Sequence, residues 1–315
     1  MKIVFFGSSE FAVDSLSALL NKKYSFVAVI TQPDRRKGRN LKLAQTPVKA
    51  FALQNNLPVL TPANVNDRRV ISELAGFGAD LFIVVSFGQI LSKQLLAVPE
   101  LYAVNVHFSL LPRWRGAAPV NYALLHADKN TGVTVIRMNE FMDRGDVITT
   151  GNLDIKVQDD AVSLGRKLSA LGAQALLEAL DLIEKNKVEF KIQDEARATL
   201  APKLKKEDGL ISWDDSAQSV HNKVRAFVPW PCAYTFYKGK LVKVLKTKII
   251  DAQNTEVIFG QVAAIEKQKG ILVAAGSGLI LIESLQPEGK RAMSAYDFAL
   301  GQHLKIKDKF SAEKS

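Results

Sequence analysis

Two polar side chains close a strand-like segment in the stretch VNVHFSLLPRWRGAAP at 104–119. Val104 and Val106 alternate with Asn105 and His107, so we expect Asn105 and His107 to share one face of a β-strand. An asparagine amide can donate a hydrogen bond to an oxygen that gains negative charge, and a histidine can donate to the same oxygen or move a proton. The pair therefore suits stabilisation of an oxyanion. A polar strand end with an internally bonded histidine explains these two residues equally well when they are taken alone.

A carboxylate is expected beside this pair. The turn FMDRGDVITT at 141–150 places Asp143 and Asp146 on either side of Gly145, just before another strand. Asp143 next to the imidazole of His107 would hold the ring in one orientation. Such a turn is common and is a weak signal by itself. Asn, His and Asp together would form a metal-free site for acyl-type transfer, and no serine elbow or catalytic cysteine indicates a covalent intermediate.

Two loops that follow buried strands have the composition to line a slot for a flat heterocycle. They contribute Ser109, Leu110, Leu111 and Pro112 after the histidine, and Phe87, Gly88 and Leu91 in SFGQIL. Ordinary loop packing is the alternative for each loop, and it is the favoured interpretation of Phe87 and Leu91 taken singly.

Several other kinds of site find no support. The four histidines are scattered without the spacing of metal ligands, and Cys232 is the only cysteine, so we expect neither a metal site nor a disulfide framework. The loop GSSEF after the first strand lacks the glycine fingerprint of dinucleotide-binding enzymes, which disfavours a nicotinamide-dependent reductase. No signal peptide or membrane-spanning run is recognisable, and a cytoplasmic setting is the simplest interpretation.

Strands and helices alternate in the first part of the chain, and this alternation is typical of a doubly wound α/β domain. Apolar strands such as DLFIVVS are followed by helical stretches, and leucines at helical spacing predict a long helix at about 160–184. Short strands with glycine turns predict a smaller β-barrel after a polar linker. The predicted boundaries are 1–188 for the first domain, 189–208 for the linker and 209–315 for the barrel.

Positive charge is concentrated in two regions of the 315-residue chain, whose net charge is +10. Residues 31–50 carry six basic residues against Asp34 alone, and residues 211–315 carry a similar excess. This distribution indicates a polyanionic partner, for which nucleic acid is the leading candidate. A solvated basic surface is the alternative, and charge alone does not decide between them.

Several motifs together resemble the methionyl-tRNA formyltransferase family. They are NVHxSLLPxWRGAAP, D-x-G-D, TQPDR…GR, TPVK and DGxIxW…PWPxAYT, and they run nearly from end to end of the chain. The Asn-x-His and D-x-G-D elements are shared by formyltransferases that act on different acceptors, so they imply formyl transfer rather than the acceptor. The acceptor is implied by the basic loop and by the terminal domain.

The resemblance implies a Rossmann-like formyltransferase domain that binds 10-formyltetrahydrofolate, followed by an OB-like β-barrel that helps to hold initiator methionyl-tRNA. Asn105, His107 and Asp143 would be catalytic, in a direct attack of the methionyl amine through a tetrahedral intermediate. The two slot loops would contact the folate. The residues expected at the tRNA are Arg35, Arg36, Lys37, Arg39, Lys42, Lys203, Lys205 and Lys206. A monomer is the expected oligomeric state.

Two positions depart from the family pattern. Phe108 stands where a small residue, usually glycine, is expected, and Cys232 replaces the glycine of PWPGAYT. Two other functions fit the same residues: formyl transfer to a small amine, such as a glycinamide nucleotide or an amino sugar, and tRNA binding by a catalytically inactive relative. A small acceptor gives no reason for the basic loop, and the intact Asn105, His107 and Asp143 argue against an inactive relative.

Overall fold

The computed structural model describes residues 1–37, 42–250 and 258–313. The described residues form two compact units: the first comprises those within 1–119, 130–154 and 165–202, and the second those within 120–129, 155–164 and 203–313. The prediction of a Rossmann-like α/β domain followed by a second, β-rich domain is confirmed, and the second domain has a separate antiparallel sheet. The boundaries 1–188, 189–208 and 209–315 stay a prediction.

The first unit is built on a seven-stranded sheet with the strand order β5-β2-β1-β6-β7-β8-β9. Its strands, with the small β3–β4 hairpin between them, are β1 Lys2–Gly7, β2 Ser25–Ile30, β3 Arg35–Lys37, β4 Lys42–Ala44, β5 Val59–Leu60, β6 Leu81–Val85, β7 Tyr102–His107, β8 Asn130–Arg137 and β9 Asp146–Asp154. The strands β5, β2, β1, β6 and β7 pair in parallel, whereas β8 is antiparallel to both of its neighbours. Strand β6 is buried along its whole length, as in sheets covered on both faces.

The helices of the chain before residue 203 are α1 Val13–Asn21, α2 Pro47–Gln54, α3 Arg68–Gly76, α4 Lys93–Leu96, α5 Pro119–Leu125 and α6 Ala161–Glu184. Local chemistry sets several of their starts. Thr46 caps α2 by accepting a hydrogen bond from the Lys49 amide at 3.0 Å, and Pro47 occupies the first helical position. The long helix α6 matches the predicted helix at about 160–184.

Helices cover both faces of the sheet. Ala103 of β7 belongs to a buried cluster that also contains Leu74 of α3. Val106 contacts α6 on the opposite face, where the backbone of Gly172 approaches its side chain. Because side chains alternate along a strand, Asn105 and His107 lie on the face of Ala103. The polar residues at the end of β7 are therefore separated from α6 by the sheet itself.

The second unit contains an antiparallel sheet with the order β10-β11-β14-β13-β12, and β15 pairs with β14. Its later elements are α7 Ala217–Phe227, β10 Ala233–Tyr237, β11 Lys240–Ile250, β12 Val262–Glu266, β13 Gly270–Ala274, β14 Leu279–Pro287, β15 Met293–Ser294 and α8 Ala295–Gly301. The core between sheet and helices includes Trp213, Val224, Ile282 and Phe310. Trp213 satisfies its buried indole N–H on Thr235 Oγ1 at 3.0 Å.

Cys232 lies just before β10 with a backbone φ of 68°. This is the left-handed region, in which glycine is the residue with no steric penalty. The family pattern PWPGAYT has a glycine at this position, so Cys232 stands where the backbone conformation favours glycine. Its side chain is buried, and burial raises the pKa of the thiol.

No helix among the described residues combines the length and the apolar character that a bilayer crossing requires.

Candidate active site

The carboxylate of Asp143 is the point at which the polar residues of the first unit converge. Its Oδ1 lies 3.4 Å from Nδ2 of Asn105 and 3.6 Å from Nδ1 of His107. Its Oδ2 accepts the backbone N–H of Gly116 at 2.8 Å. The three residues that the sequence indicated are therefore brought together, with donors directed at both carboxylate oxygens.

The sheet positions Asn105 and His107. Asn105 pairs in register with Val84 of the parallel neighbour β6, and His107 pairs with Thr134 of the antiparallel neighbour β8. Strand β7 ends at His107, and β6 ends nearby at Val85. The carboxyl end of parallel strands is the edge at which open α/β sheets bind ligands. Asn105 is half-buried at this edge, while His107 is 6% exposed.

Both ring nitrogens of His107 face oxygen atoms of the protein. Nε2 lies 2.9 Å from the carbonyl oxygen of Trp114, and Nδ1 faces Asp143. Trp114 itself has a φ of 62°, and its backbone N–H donates to Thr199 Oγ1 at 2.9 Å. From its residue type, His107 was expected to donate to the reacting oxygen or to move a proton. In this structure its ring is held between a carbonyl and a carboxylate.

The loop after β7 is held by its own hydrogen bonds. Ser109 is fully buried, and its hydroxyl donates to the Arg113 carbonyl at 2.5 Å. Thr134 of β8 donates to the Ser109 carbonyl at 2.7 Å and accepts the Leu111 N–H at 3.0 Å. Leu110, Leu111 and Pro112 are half-buried. The loop thus presents an apolar wall, and the hydroxyl of Ser109 stabilises the loop through an internal hydrogen bond.

The loop after β6 divides its residues between core and surface. Phe87 and Leu91 are buried in the same cluster as Leu74, and the ring of Phe87 lies 5.5 Å from that of Phe6. Gly88 is exposed with a φ of 88°, and a Cβ there would meet only Gln32, at 3.8 Å. The backbone at Gly88 is therefore open to a ligand, whereas the side chains of Phe87 and Leu91 are used in packing.

Phe108 turns away from Asp143 and His107. Its ring lies 6.3 Å from the ring of Phe11 and packs against the backbone of α6, where a Cβ on Gly172 would come within 3.2 Å of Phe108 Cε1. Phe108 is 6% exposed. Alternation along the strand puts Phe108 opposite His107, so the bulky residue fills the core and leaves the mouth of the sheet unobstructed.

The sequence did not indicate three residues that enclose this site: Arg115, Gln193 and Glu195. Arg115 is 3% exposed and pairs with Glu195 at 2.8 Å, while Gln193 donates to the carbonyls of Asp143 and Gly145. The hydrogen bond from Arg115 lowers the pKa of the Glu195 carboxyl. Residues 191–201 fall entirely within the stretch 189–208 that was predicted to be a polar linker. The arginine of the WRG motif was visible in the sequence, whereas its burial is seen only in the structure.

The predicted tRNA contacts fall into three groups. Arg35 and Arg36 are exposed on β3, and Lys203, Lys205 and Lys206 are exposed in the second unit. Lys37 and Lys42 lie at the facing ends of β3 and β4, as a pair in the hairpin ladder. Arg39 lies outside the described residues. Lys49 pairs with Asp34 at 2.8 Å, so its charge is compensated within this region.

No group of three or more His, Cys, Asp or Glu side chains within the described ranges is arranged to hold a metal ion.

Comparison with known proteins identifies both parts of the chain. A family model described as formyl transferase matches residues 1–180, and one described as formyl transferase, C-terminal domain, matches residues 203–303. Three relatives named methionyl-tRNA formyltransferase come from Geobacter metallireducens (41% identical, covering 96% of both chains), Coxiella burnetii strain RSA 493 (42%, covering 95% and 94%) and Geotalea daltonii (43%, covering 96% and 95%).

Solved structures show the same fold at lower identity. HypX from Aquifex aeolicus, in complex with tetrahydrofolic acid, has a TM-score of 0.67 at 17% identity, covering 98% of this chain and 48% of HypX. An N-formyltransferase from Helicobacter canadensis, in complex with folinic acid and dTDP-3-aminofucose, has a TM-score of 0.66 at 18% identity, covering 90% of this chain and 98% of its own. The matched motifs, both family models and the full-length relatives agree, and this chain belongs to the formyl transferase family.

Proposed function

We propose that this enzyme transfers the formyl group of 10-formyltetrahydrofolate to the α-amino group of methionyl-initiator tRNA. The observation that carries the proposal is that relatives named methionyl-tRNA formyltransferase match both units of the chain, and not the catalytic unit alone. A small acceptor would give no reason for the exposed lysines at 203, 205 and 206. The arrangement of Asn105 and His107 around Asp143 supplies a hydrogen-bond donor and a carboxylate for formyl transfer.

The residues at the sheet edge fit a folate. Leu110, Leu111 and Pro112 give an apolar wall, and the exposed backbone at Gly88 permits close approach by a flat ring. Ser109 supports this wall through its hydrogen bond to Arg113. Phe87 and Leu91 would act indirectly, because their packing in the core fixes the loop that carries Gly88. The cofactor supplies an activated formyl group, and the chain supplies the slot and the polar groups beside it.

The reaction forms a bond between the amine nitrogen and the formyl carbon and breaks the bond from that carbon to the folate nitrogen. One proton leaves the amine, and the folate nitrogen takes one up. Negative charge develops on the formyl oxygen as the carbon becomes tetrahedral. The Nδ2 group of Asn105 carries two hydrogens, and only one is directed at Asp143. The other can donate to the formyl oxygen, and this bond strengthens as charge develops.

Asp143 has two tasks in this scheme. Its carboxylate fixes the Asn105 amide and the His107 ring, because its Oδ1 atom faces both of these side chains. The same carboxylate accepts the proton that the attacking amine loses, directly or through one water molecule. His107 acts by orienting Asp143 from a position locked by the Trp114 carbonyl.

The acceptor is held through charge. Arg35 and Arg36 on β3, together with Arg39, Lys37 and Lys42, would contact phosphates of the acceptor stem. Lys203, Lys205 and Lys206 would contact the same tRNA from the second unit. Guanidinium and ammonium groups suit phosphate oxygens, and this contribution weakens as salt rises.

The two alternatives are not favoured. A small amine acceptor is opposed by the relatives named methionyl-tRNA formyltransferase, which are 41–43% identical to this chain over nearly its full length. The sugar N-formyltransferases among the solved structures are 15–20% identical to this chain, and this likeness shows the fold alone. An inactive relative is opposed by the meeting of Asn105, His107 and Asp143 at one point.

The proposal is tested by incubating the purified protein with 10-formyltetrahydrofolate, labelled in the formyl carbon, and methionyl-initiator tRNA. We expect label in the acid-precipitable tRNA, released as N-formylmethionine after deacylation. The same assay with deacylated tRNA controls for transfer to the nucleic acid itself. Retention of the tRNA on the protein without any transfer of label would support the inactive relative instead.

We also expect a monomer in the cytoplasm, from the family resemblance and from the single, buried cysteine. Sedimentation at assay concentrations tests the oligomeric state.

A further inference from the structure

A buried side-chain network links the Asp143 turn to the loop after β7. Gln193 is 8% exposed, and its Nε2 donates to the carbonyl of Asp143 at 2.9 Å and to that of Gly145 at 2.7 Å. Its Oε1 accepts from Arg115, from Nε at 3.1 Å and from Nη2 at 2.8 Å. All four hydrogen bonds of one amide are thus directed at the two segments that frame the site.

The guanidinium of Arg115 determines which way this amide points. Arginine has donors only, so the amide atom that faces it must be the oxygen, and the NH₂ group must face the two carbonyls. The outer edge of the guanidinium makes a bidentate pair with Glu195, with both contacts at 2.8 Å. Such a fork-to-fork pair fixes the plane of the guanidinium. Arg115 therefore fixes the orientation of the Gln193 amide, and this amide holds the turn that contains Asp143.

The turn needs this support. Asp143 has a φ of 55°, in the left-handed region that non-glycine residues adopt at a cost. A Cβ on Gly145 would lie 1.8 Å from the Arg137 carbonyl oxygen, so the turn passes close to β8. With the carbonyls on either side of Arg144 held by a single NH₂ group, the carboxylate of Asp143 is presented to Asn105 and His107.

The segment that carries Gln193 is anchored at both ends. Lys191 and Val147 exchange backbone hydrogen bonds of 3.0 and 2.8 Å. Further along, the N–H of Arg115 donates to Thr199 at 2.9 Å, and the N–H of Ala201 donates to Arg115 at 2.7 Å. The segment 191–201 thus ties the Asp143 turn and the WRG loop together, and Gln193 lies between the two anchors.

We propose that Gln193, oriented by Arg115, is a positioning residue that sets the place of the Asp143 carboxylate for formyl transfer. It touches neither substrate, and it acts through the backbone of Asp143. This inference rests on the catalytic part of the proposed function, in which Asp143 receives the amine proton.

The test uses Gln193→Met in the full chain, because methionine keeps the length and approximate volume but donates no hydrogen bond. We expect kcat for methionyl-tRNA to fall about 100-fold, as for a misplacement on the order of 1 Å, with KM for both substrates changed less than about three-fold. Ile192→Ala is the matched control, since that neighbouring side chain is 88% exposed, and its kcat should equal that of the parent.

A double-mutant cycle with Asp143→Ala separates positioning from general stability. If Gln193 acts through Asp143, adding Gln193→Met to Asp143→Ala should lower kcat by less than about two-fold. An equal further loss in both backgrounds would overturn the inference, and so would a Gln193→Met enzyme with the kcat of the parent. Should Gln193→Met fail to fold, Gln193→Glu keeps the acceptor for Arg115 while placing an oxygen against the carbonyls, and it should show the same loss.

The cycle also distinguishes this inference from the proposed function. An Asp143→Ala enzyme with the kcat of the parent would refute the proposed role of Asp143 and the positioning role with it. An impaired Asp143→Ala enzyme together with an unimpaired Gln193→Met enzyme would refute the positioning role alone.

Discussion

The polar groups of the site converge on Asp143, and the Asn105 amide keeps one hydrogen that is not directed at this carboxylate. His107 is enclosed, since its two ring nitrogens face Trp114 and Asp143. An amide that is already fixed by one hydrogen bond loses little freedom when its second hydrogen meets the formyl oxygen. Preorganised donors of this kind contribute because they need no reorientation during the reaction.

Asn105→Ala removes the proposed donor to the formyl oxygen. We expect kcat to fall by about 10²–10³-fold, the loss typical of removing one donor to a developing oxyanion. The measurement is the initial rate of transfer to methionyl-tRNA at saturating donor. Asn152→Ala, at an exposed position on β9, is the control for asparagine loss. A kcat within about two-fold of the parent would show that Asn105 is not such a donor.

The sequence indicated some of these residues and missed others for a physical reason. Asn105 and His107 followed from alternation on one strand, and the same alternation places Phe108 on the opposite face. Gln193 is 50 residues from Asp143 in the chain, and its contact depends on where the fold returns the segment. A short polar stretch with exposed neighbours carries no local sign of such a contact.

The packing of α6 on β7 explains how the chain accommodates Phe108. The closest approach is at Gly172, where an added Cβ would come within 3.1 Å of Val106 Cγ1 and 3.2 Å of Phe108 Cε1. A glycine in the middle of a helix has a cost in helix propensity, which the close packing offsets. The bulky residue at 108 and the missing side chain at 172 are therefore complementary.

Gly172→Leu should overpack this contact and lower the free energy of unfolding by about 1–3 kcal/mol. Denaturant unfolding followed by circular dichroism measures the change. Gly76→Leu is the matched control, because Gly76 also lies in a helix but has no atom within 4 Å of an added Cβ. Equal stability of the two leucine variants would contradict the close packing.

In the second unit, α7 carries a half-buried histidine whose protonation opposes folding. His221 Nδ1 lies 2.9 Å from Thr247 Oγ1, and burial lowers the pKa of His221 from its ordinary value of 6.5, with Arg225 adding to the effect and Glu283 opposing it. The unfolded chain therefore binds this proton more readily. The stability that the neutral ring contributes is complete above about pH 6.5 and is lost as the pH falls towards the lowered pKa.

His221→Gln should reduce this dependence on pH, because glutamine can still hydrogen-bond to Thr247 but does not titrate. Urea midpoints at about pH 7.5 and about pH 5.5 should differ less in the variant than in the parent. The difference between the two proteins should appear only below about pH 6.5. Parallel curves for parent and variant would show that His221 does not contribute.

The sequence predicted secondary structure correctly where the hydrophobic periodicity is strong. The prediction was incomplete where hydrogen bonding between distant segments determines the structure. The long helix at about 160–184 is observed as Ala161–Glu184. A strand after the Asp143 turn was expected, but periodicity does not reveal strand direction or pairing, and β8 lies between that strand and β7, antiparallel to both. The stretch 189–208 was predicted as a linker from its polarity, and polarity does not report the backbone hydrogen bonds made by Lys191, Thr199 and Ala201.

The net charge of the whole molecule affects the rate and the affinity with which it binds a polyanion. The chain carries a net charge of +10, and exposed basic residues occur in both units. Fixed positive charge raises the rate of encounter with a nucleic acid and makes the affinity depend on salt. The exposed arginines of β3 and the exposed lysines around residue 205 are the described candidates for this role.

Replacing Arg35 and Arg36 together by alanine should flatten the salt dependence of kcat/KM for methionyl-tRNA. Each lost phosphate contact should reduce the slope of log kcat/KM against log salt by about 0.9. Lys22→Ala with Lys23→Ala is the control, since it makes the same charge change at exposed positions before the start of β2. An equal effect of both pairs would indicate net charge rather than local contact.

The comparison of acceptors tests the central claim most directly. The measurement is kcat/KM for formyl transfer from 10-formyltetrahydrofolate to methionyl-initiator tRNA and to methionine methyl ester, which carries the same reacting amine. We predict efficient transfer to the tRNA and a lower kcat/KM for the ester by several orders of magnitude, because the ester lacks the contacts that hold the acceptor. Equal kcat/KM for the two acceptors would contradict the account.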